Sequence, residues 1–381
     1  MLLVVIYLAF VSLGLPDSLL GSAWPAMHGQ LGATLAQGGI VSMVSCICTI
    51  ASALATDRVV RRLGTGKTTL LSVALTAAAI FGYSTVTAWW QLIFWAVPYG
   101  LGAGAVDAAL NAYVALNYEA RHMNWLHCMW GVGASTGPAI MSWQLGAGGG
   151  WQGGYRTIAC LQAALVLVLL GALRLWRSSR ADASAEKTGD RSSYLRRPGV
   201  VHAFVGFFCY CALESTCGLW AATYMAEAKS VDTAAAAFFA ALFFAGITGG
   251  RAVSGVLTRW LDGHQLQHLG EALIAAGVIV MILAPTTTLV GAGLVLAGLG
   301  CAPIYPQMIQ LTPERFGEDA ASALMGPQMA AAYVGSLTFP PLTGLVMELV
   351  SPAVLPFILA ALVGVMTLSL NRCDSLSAAR R

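Results

Sequence analysis

The feature that most constrains this chain is a series of twelve apolar segments, each about as long as a helix that crosses a bilayer. A spanning helix needs roughly 20 mostly apolar residues. Only 10% of the 381 residues are charged, against about 25% in ordinary soluble domains, so the sequence excludes a water-soluble globule and predicts an all-α membrane protein. The segments lie at about 2–26, 37–56, 68–87, 90–117, 124–147, 155–176, 200–226, 233–255, 269–288, 290–311, 322–347 and 353–371.

One long hydrophilic stretch, "RSSRADASAEKTGDRSSYLRRPG" at 177–199, interrupts the series after the sixth segment. Its composition is typical of a solvated linker rather than of a packed element. The sequence therefore predicts an N-terminal six-helix bundle at 1–176, a cytoplasmic linker at 177–199 and a C-terminal six-helix bundle at 200–381.

Basic residues set the expected orientation, because Lys and Arg accumulate in the cytoplasmic loops of membrane proteins. With twelve spans, 17 of the 20 Lys and Arg residues fall on one side. Arg156 and Lys229 fall on the other side, and Arg251 lies within a span. We therefore expect a multi-pass protein of a bacterial-type cytoplasmic membrane, with both termini and the linker in the cytoplasm.

Two local matches indicate that the halves are repeats of one unit. "DSLLGSAW" from Asp17 matches "ESTCGLW" from Glu214 at an offset of 197, and "GLGAGAVD" from Gly100 matches "GLGCAPIY" from Gly298 at an offset of 198. Parallel repeats about an axis along the membrane normal are a transporter architecture, with the binding site between the halves near the midplane. The expected fold is two six-helix bundles related by pseudo-two-fold symmetry.

Three acids lie well inside apolar segments, away from the segment ends: Asp17, Asp107 and Glu214. An ionisable side chain at the centre of a span costs about 2.5–3.5 kcal/mol on insertion scales, so it is a functional candidate by default. Removal from water favours the neutral form of a carboxyl group, which lets such a group load and release protons. When ionised it can accept hydrogen bonds from substrate hydroxyls. The alternative is a structural acid that neighbouring polar groups satisfy.

Other polar and aromatic residues of the spans complete the predicted substrate site. Amide and imidazole groups can bind hydroxyls, and flat aromatic faces can stack on sugars, although Trp also anchors helices at membrane interfaces. With Asp17 and Glu214, the predicted substrate-binding residues are Trp24, Asn111, His127, Trp130, Trp220, Tyr305 and Gln328. The proposed proton-coupling residues are Asp107 and Asp17.

The segment "ALATDRVVRRLG" at 53–64 resembles the loop between the second and third helices of the major facilitator superfamily, whose pattern is roughly GxxxDRxGRR. Asp57, Arg58, Arg61 and Arg62 match, while the two glycines of the pattern are replaced here. The resemblance implies the twelve-helix fold of that superfamily and a charge-paired cytoplasmic gate at these four residues. The alternative function of these charges is positive-inside anchoring alone.

Within the superfamily the chain is similar to the fucose-permease-like branch of sugar:proton symporters. The similarity rests on "LPDSLL", "GAVDAALNAYV", "NWLHCMWGVGASTGP" and "GLGCAPIYPQMI". It implies that Asp17 takes part in substrate recognition and Asp107 in proton coupling. His127 and Trp130 stand where the fucose permease has amide side chains, so the resemblance carries over the mechanism class of that branch and not fucose as the substrate.

The sequence therefore predicts a proton-coupled importer of a sugar or similar small polar solute, working as a monomer in the lipid bilayer. The proton gradient supplies the energy, and no cofactor, metal or nucleic acid is expected. A proton-coupled antiporter that exports drugs or sugars remains an alternative, because "GASTGP" at 133–138 fits a helix 5 pattern of antiporters. An uncoupled uniporter and a non-transporting receptor are the others. An enzyme is not expected, because no nucleophile with a base and no metal-binding motif occurs.

Overall fold

The computed structural model describes residues 2–176 and 194–378, and this part of the chain contains helices and no strand. The predicted linker at 177–199 lies largely outside the described residues. The first half holds α1 (Leu2–Met27), α2 (Gln37–Leu63), α3 (Thr65–Tyr83), α4 (Trp89–Asn117), α5 (Ala120–Gly146) and α6 (Gly150–Ala172). The second half holds α7 (Val200–Ala228, ending in a π-helical turn), α8 (Thr233–Leu257), α9 (Gly263–Leu283), α10 (Thr287–Gln310), α11 (Glu318–Leu349) and α12 (Leu355–Ala378).

Eleven helices among the described residues are long and apolar enough to cross a membrane, and α5 is the long helix that does not qualify. It has 27 residues, which is sufficient length, but its sequence "ARHMNWLHCMWGVGASTGPAIMSWQLG" is rich in polar and small residues. The sequence predicted a span at this position. The position of α5 fits this composition, because its glycines let it pack closely on α1 and three of its residues, His127, Cys128 and Trp130, line a central cavity.

Helix α1 is broken at Ser18, between Leu2–Asp17 and Leu19–Met27. Pro16 has no N–H, so it cannot donate to the carbonyl of Ser12 four residues earlier. That carbonyl instead accepts a hydrogen bond of 2.9 Å from Nε2 of Gln162 in α6. Ser18 donates its hydroxyl to the carbonyl of Ala134 at 2.7 Å. Neighbouring helices thus satisfy the polar groups that the break exposes, and Asp17 lies at the break.

Glycines bring α1 against α5 and α7 against α11 in the same way. A Cβ on Gly133 of α5 would lie 2.1 Å from the carbonyl oxygen of Val11, and one on Gly335 of α11 would lie 2.3 Å from that of Phe208. These distances leave room for no side chain. Phe208 follows Val11 by 197 positions, which is the offset of the first sequence repeat.

The second sequence repeat also corresponds to a pair of equivalent close contacts, one between α2 and α4 and one between α8 and α10. A Cβ on Gly100 would lie 2.3 Å from the carbonyl oxygen of Ser45, and one on Gly298 would lie 2.1 Å from that of Phe243. Both members of the second pair follow those of the first by 198 positions. The predicted duplicated six-helix fold with pseudo-two-fold symmetry is therefore confirmed.

The two halves meet along equivalent helix pairs, α2 with α11 and α5 with α8, and also along α1 with α7. Arg58, Arg61 and Arg62 lie where α2 meets α3, and we call this side of the bundle the basic end. Both described termini lie at the basic end, because the helices alternate in direction. At the opposite end, a Cβ on Gly39 of α2 would lie 2.5 Å from Cα of Pro341 in α11.

Candidate functional site

A cavity of about 620 Å³ lies between the two halves. Its walls come from α1, α2, α4 and α5 on one side and from α7, α8, α10 and α11 on the other, with one tyrosine each from α3 and α6. This volume falls within the roughly 300–1,000 Å³ of pockets that bind small molecules. The cavity therefore has the size and the position expected for a site shared by two repeats.

The cavity extends to the basic end, where its lining includes Thr258 after α8 and Gln310 at the end of α10. The opposite end is packed shut. There a Cβ on Gly21 would lie 2.6 Å from the carbonyl oxygen of Gly218, its counterpart in the first sequence repeat. His28 and Glu227 lie 3.6 Å apart between Nε2 and Oε1 across the same closure. The structure is open on one side only.

Asp17 lines the cavity at the break in α1. Its Oδ1 accepts a hydrogen bond of 2.5 Å from the hydroxyl of Tyr99 in α4, and its Oδ2 accepts one of 2.7 Å from Nε1 of Trp130 in α5. Charge-assisted hydrogen bonds of this kind are stronger than neutral ones. Three helices of the first half thus hold the carboxylate in place.

Asp107 lies on α4, two turns beyond Tyr99, and lines the same cavity as Asp17. Its Oδ1 accepts a hydrogen bond of 2.9 Å from Nδ2 of Asn111, one helical turn further along. Asn111 itself is not part of the cavity wall, so it supports Asp107 from the side. One carboxyl oxygen of Asp107 is therefore held by Asn111, and the side chain borders the cavity. A carboxyl group in this position can exchange a proton with the cavity.

Glu214 of α7 faces the cavity from the second half, one turn from Gly218 at the closure. It follows Asp17 by 197 positions, so the repeat places one acid on each wall. Tyr305 of α10 lines the same wall, where its hydroxyl lies 3.4 Å from Sδ of Met329 and its ring makes an edge contact with Phe207 at 5.0 Å. The cavity thus has acidic residues on both walls and aromatic residues from several helices.

His127 and Trp130 of α5 line the cavity beside Arg251 of α8. The His127 ring makes an edge contact with Phe10, with centroids 6.0 Å apart. The guanidinium of Arg251 lies 5.1 Å from the centre of the Trp130 ring, and its Nη1 donates a hydrogen bond of 3.1 Å to the carbonyl of His127. These three side chains therefore lie where α5 and α8 meet beside the cavity.

Arg251 is a site residue that the sequence reasoning left out. The signal was available, because a basic residue inside a span is as costly as an acidic one and faces protein or water for the same reason. Tyr99 was missed as well, because a tyrosine in an apolar segment carries no comparable signal.

Besides Asn111, three more residues predicted to bind substrate lie outside the cavity wall: Trp24, Trp220 and Gln328. Trp24 donates Nε1 to the carbonyl of Leu35 at 3.0 Å, and Trp220 donates Nε1 to the carbonyl of Pro340 at 2.8 Å. Both rings are fully buried at the closed end. Gln328 is buried nearer the basic end, where its Oε1 accepts a hydrogen bond of 2.9 Å from Thr312. In this structure all three contribute to packing.

The predicted cytoplasmic gate, Asp57 with Arg58, Arg61 and Arg62, lies on the last two turns of α2. All four residues are exposed, and none of them takes part in an ion pair among the residues that the structure describes. At the end where the cavity opens, these four charged side chains therefore form no ion-paired latch within the described part of the chain. Within the same described ranges, no group of three His, Cys, Asp or Glu side chains could hold a metal ion.

Comparison with known proteins agrees with this architecture. A curated relative, "Bypass of stop codon protein 6" of Saccharomyces cerevisiae, is 21% identical over 94% of this chain and 79% of its own length. Among solved structures, a mutant of the peptide transporter POT in complex with sulfate superposes with a TM-score of 0.77 at 13% identity, over 98% of this chain and 94% of that one.

A mutant of the nucleoside transporter NupG superposes with a TM-score of 0.75 at 14% identity, over 98% of both chains. A bacterial homolog to the human lysosomal transporter Spinster, in an inward-facing and occupied conformation, gives a TM-score of 0.72 at 12% identity, over 99% and 95% of the two chains. These likenesses show the fold. The family model of the Major Facilitator Superfamily matches residues 6–340. The chain belongs to the Major Facilitator Superfamily and is a multi-pass membrane transporter.

Proposed function

We propose that this protein takes up a sugar or similar small polar solute together with protons, by alternating access. The observation that carries the proposal is the meeting of Asp17 and Asp107 in one cavity between the two halves. Asp17 is held by two hydrogen-bond donors and can accept hydroxyls of a solute. Asp107 has fewer partners and can carry the proton.

The direction of opening follows from the charges. Because basic residues mark the cytoplasmic side of membrane proteins, we assign the basic end to the cytoplasm. The cavity is then open to the cytoplasm, and the closure at Gly21 and Gly218 faces outward. The exposed side chains of Asp57, Arg58, Arg61 and Arg62 are a released cytoplasmic gate in this proposal. Rocking of the two halves would separate the outer closure and bring the gate residues together.

A proton and a solute bound in one cavity are coupled by electrostatics. Protonation of Asp107 removes a negative charge from a region of low dielectric, where charges interact more strongly than in water. In the proposed cycle, the two halves rock when Asp107 is protonated and the solute is bound, and again when neither the proton nor the solute is bound. The solute therefore enters with the proton, and the inward proton gradient drives accumulation.

The proposal is tested with purified protein in liposomes, in which an inward proton gradient is imposed and a panel of labelled sugars is supplied. Accumulation of one sugar above its external concentration, abolished by a protonophore, is the expected result. Uptake that stops when the internal and external solute concentrations are equal, with or without the proton gradient, would make the protein a uniporter. Efflux that lowers preloaded solute below its external concentration, driven by the inward proton gradient, would make it an antiporter. No transport of any solute, with ligand binding retained, would make it a receptor.

A further inference from the structure

Arg251 is a cation that the proposed transport cycle does not yet use. It lies in α8 and lines the cavity, directly after Gly250, whose Cβ position is only 2.6 Å from Cβ of Ala302 in α10. Gly250 thus lets α8 approach α10, while the next residue turns toward the cavity. The guanidinium makes one hydrogen bond, from Nη1 to the carbonyl of His127, and no ion pair among the described residues includes it.

The guanidinium is oriented but not neutralised. A guanidinium has five N–H donors in a fixed planar fork, and four of these donors have no acceptor among the residues that the structure describes. The face of Trp130, 5.1 Å away, holds the cation in place without using any donor. A planar fork directed at a cavity is the geometry that binds a carboxylate through two parallel hydrogen bonds.

We propose that Arg251 binds the carboxylate of the substrate, and that the substrate is a small hydroxy acid such as a sugar acid rather than a neutral sugar. This inference rests on the proposed function and narrows its substrate class. Trp130 lies between the two polar ends of the site: its indole N–H donates to Asp17, and its ring face carries Arg251. A hydroxy acid then places its carboxylate on Arg251 and its hydroxyls near Asp17.

The charges of the cavity explain why such a substrate needs a proton. Asp17, Asp107 and Glu214 line the cavity walls, and among the described residues Arg251 is the one arginine that lines them too. These carboxyl groups repel an anion in the ionised state, so an anion enters more readily once a proton neutralises one of them. One proton with one monovalent anion carries no net charge, so the membrane potential contributes nothing to uptake. A neutral sugar with a proton would gain about 2.3 kcal/mol per 100 mV.

The test measures binding to the purified full-length protein in detergent, with matched pairs of probes that differ only at one carbon: D-glucuronate with D-glucose, and D-galacturonate with D-galactose. The expected result is binding of at least one acid at least tenfold more tightly than its neutral partner. Arg251→Gln is expected to abolish that difference, and Arg251→Lys to retain part of it because the charge remains while the fork is lost. Arg259→Gln, which removes an exposed arginine two turns further along the chain, is the control.

Two outcomes would overturn the inference. In the first, acids and neutral sugars bind alike, or Arg251→Gln weakens both by the same factor, which would make Arg251 a packing residue of the contact between α5 and α8. In the second, no acid of the panel binds. In either case, proton-driven transport of a neutral solute in liposomes would still uphold the proposed function. Conversely, acid binding that depends on Arg251 without any proton-driven uptake would uphold the inference and refute the proton coupling.

Discussion

The indole nitrogen of Trp130 donates a hydrogen bond of 2.7 Å to Oδ2 of Asp17, joining α5 to the break in α1. Both residues line the cavity, so this bond fixes the orientation of the carboxylate that the proposal assigns to the substrate. Trp130→Phe removes the N–H and keeps the aromatic face under Arg251. Loss of a hydrogen bond to a charged group costs about 1.5–3 kcal/mol.

We therefore expect Trp130→Phe to weaken solute binding about tenfold to a hundredfold, measured by equilibrium binding to the purified protein. Trp143→Phe is the matched control, because this tryptophan lies on the same helix with its side chain exposed at the bundle surface. Unchanged affinity in Trp130→Phe would show that Asp17 does not need this donor to receive substrate.

Asp107→Asn is expected to abolish proton-driven accumulation while leaving exchange of labelled for unlabelled solute across the membrane intact. The amide keeps the size of the side chain but cannot take up and release a proton. Asp17→Asn is expected to reduce exchange as well as accumulation, because it alters the group proposed to hold the solute. Accumulation by Asp107→Asn at the wild-type level would exclude Asp107 as the proton carrier.

Gly21→Ala is expected to shift the protein away from the conformation seen here. The added methyl group would lie 2.6 Å from the carbonyl oxygen of Gly218, which is backbone and cannot turn aside. The outer closure would then pack poorly, and the population would move toward states open at that end. Gly171→Ala is the control, because nothing lies within 4 Å of a Cβ at that position.

The shift can be followed with a protein in which Cys128, a cavity-lining residue, is the only cysteine. We expect a membrane-impermeant maleimide applied from the basic end to label Cys128 several-fold more slowly in Gly21→Ala than in Gly171→Ala. Equal labelling rates would mean that the close approach of Gly21 and Gly218 does not control the opening.

Asp374→Ala is expected to destabilise the second half strongly. Oδ1 of Asp374 in α12 accepts a hydrogen bond of 2.7 Å from Nε of Arg315, whose side chain is only 2% exposed. Removing one member of a buried ion pair leaves an uncompensated charge and costs about 3–5 kcal/mol. Thermal unfolding in detergent measures the loss.

The double variant Arg315→Leu with Asp374→Leu is expected to recover much of that stability, because apolar pairs often replace buried ion pairs without loss. A double variant as unstable as Asp374→Ala would show that other partners of these residues, such as Gln267, matter more than the pair itself.

The sequence predicted the fold well because its signals are local or repeated. Segment length predicted the helices. The offset of 198 reappears in both partners of the contact between Gly298 and Phe243, and the offset of 197 reappears in Phe208, whose carbonyl oxygen Gly335 approaches. The acids Asp17, Asp107 and Glu214 were found because a charge in a span is costly wherever it lies. Their presence in one cavity required only that the two repeats face each other.

The remaining features depend on the relative position of the two halves, which periodicity does not encode. Helices that are apolar all round, as in a membrane, carry no amphipathic stripe to mark the cavity side. Trp24 and Trp220 were therefore assigned to the substrate, whereas they pack at the closed end in this structure. The side on which the cavity opens is likewise set by the contacts between Gly21 and Gly218, which only the structure reveals.

The most direct test of proton-coupled uptake is the external pH of weakly buffered, de-energised cells that express the protein, recorded as sugars and sugar acids are added one at a time. Alkalinisation on addition of one solute, absent in cells that express Asp107→Asn, is the expected result. No pH change with any solute, in cells whose membranes contain the protein, would contradict proton-coupled uptake.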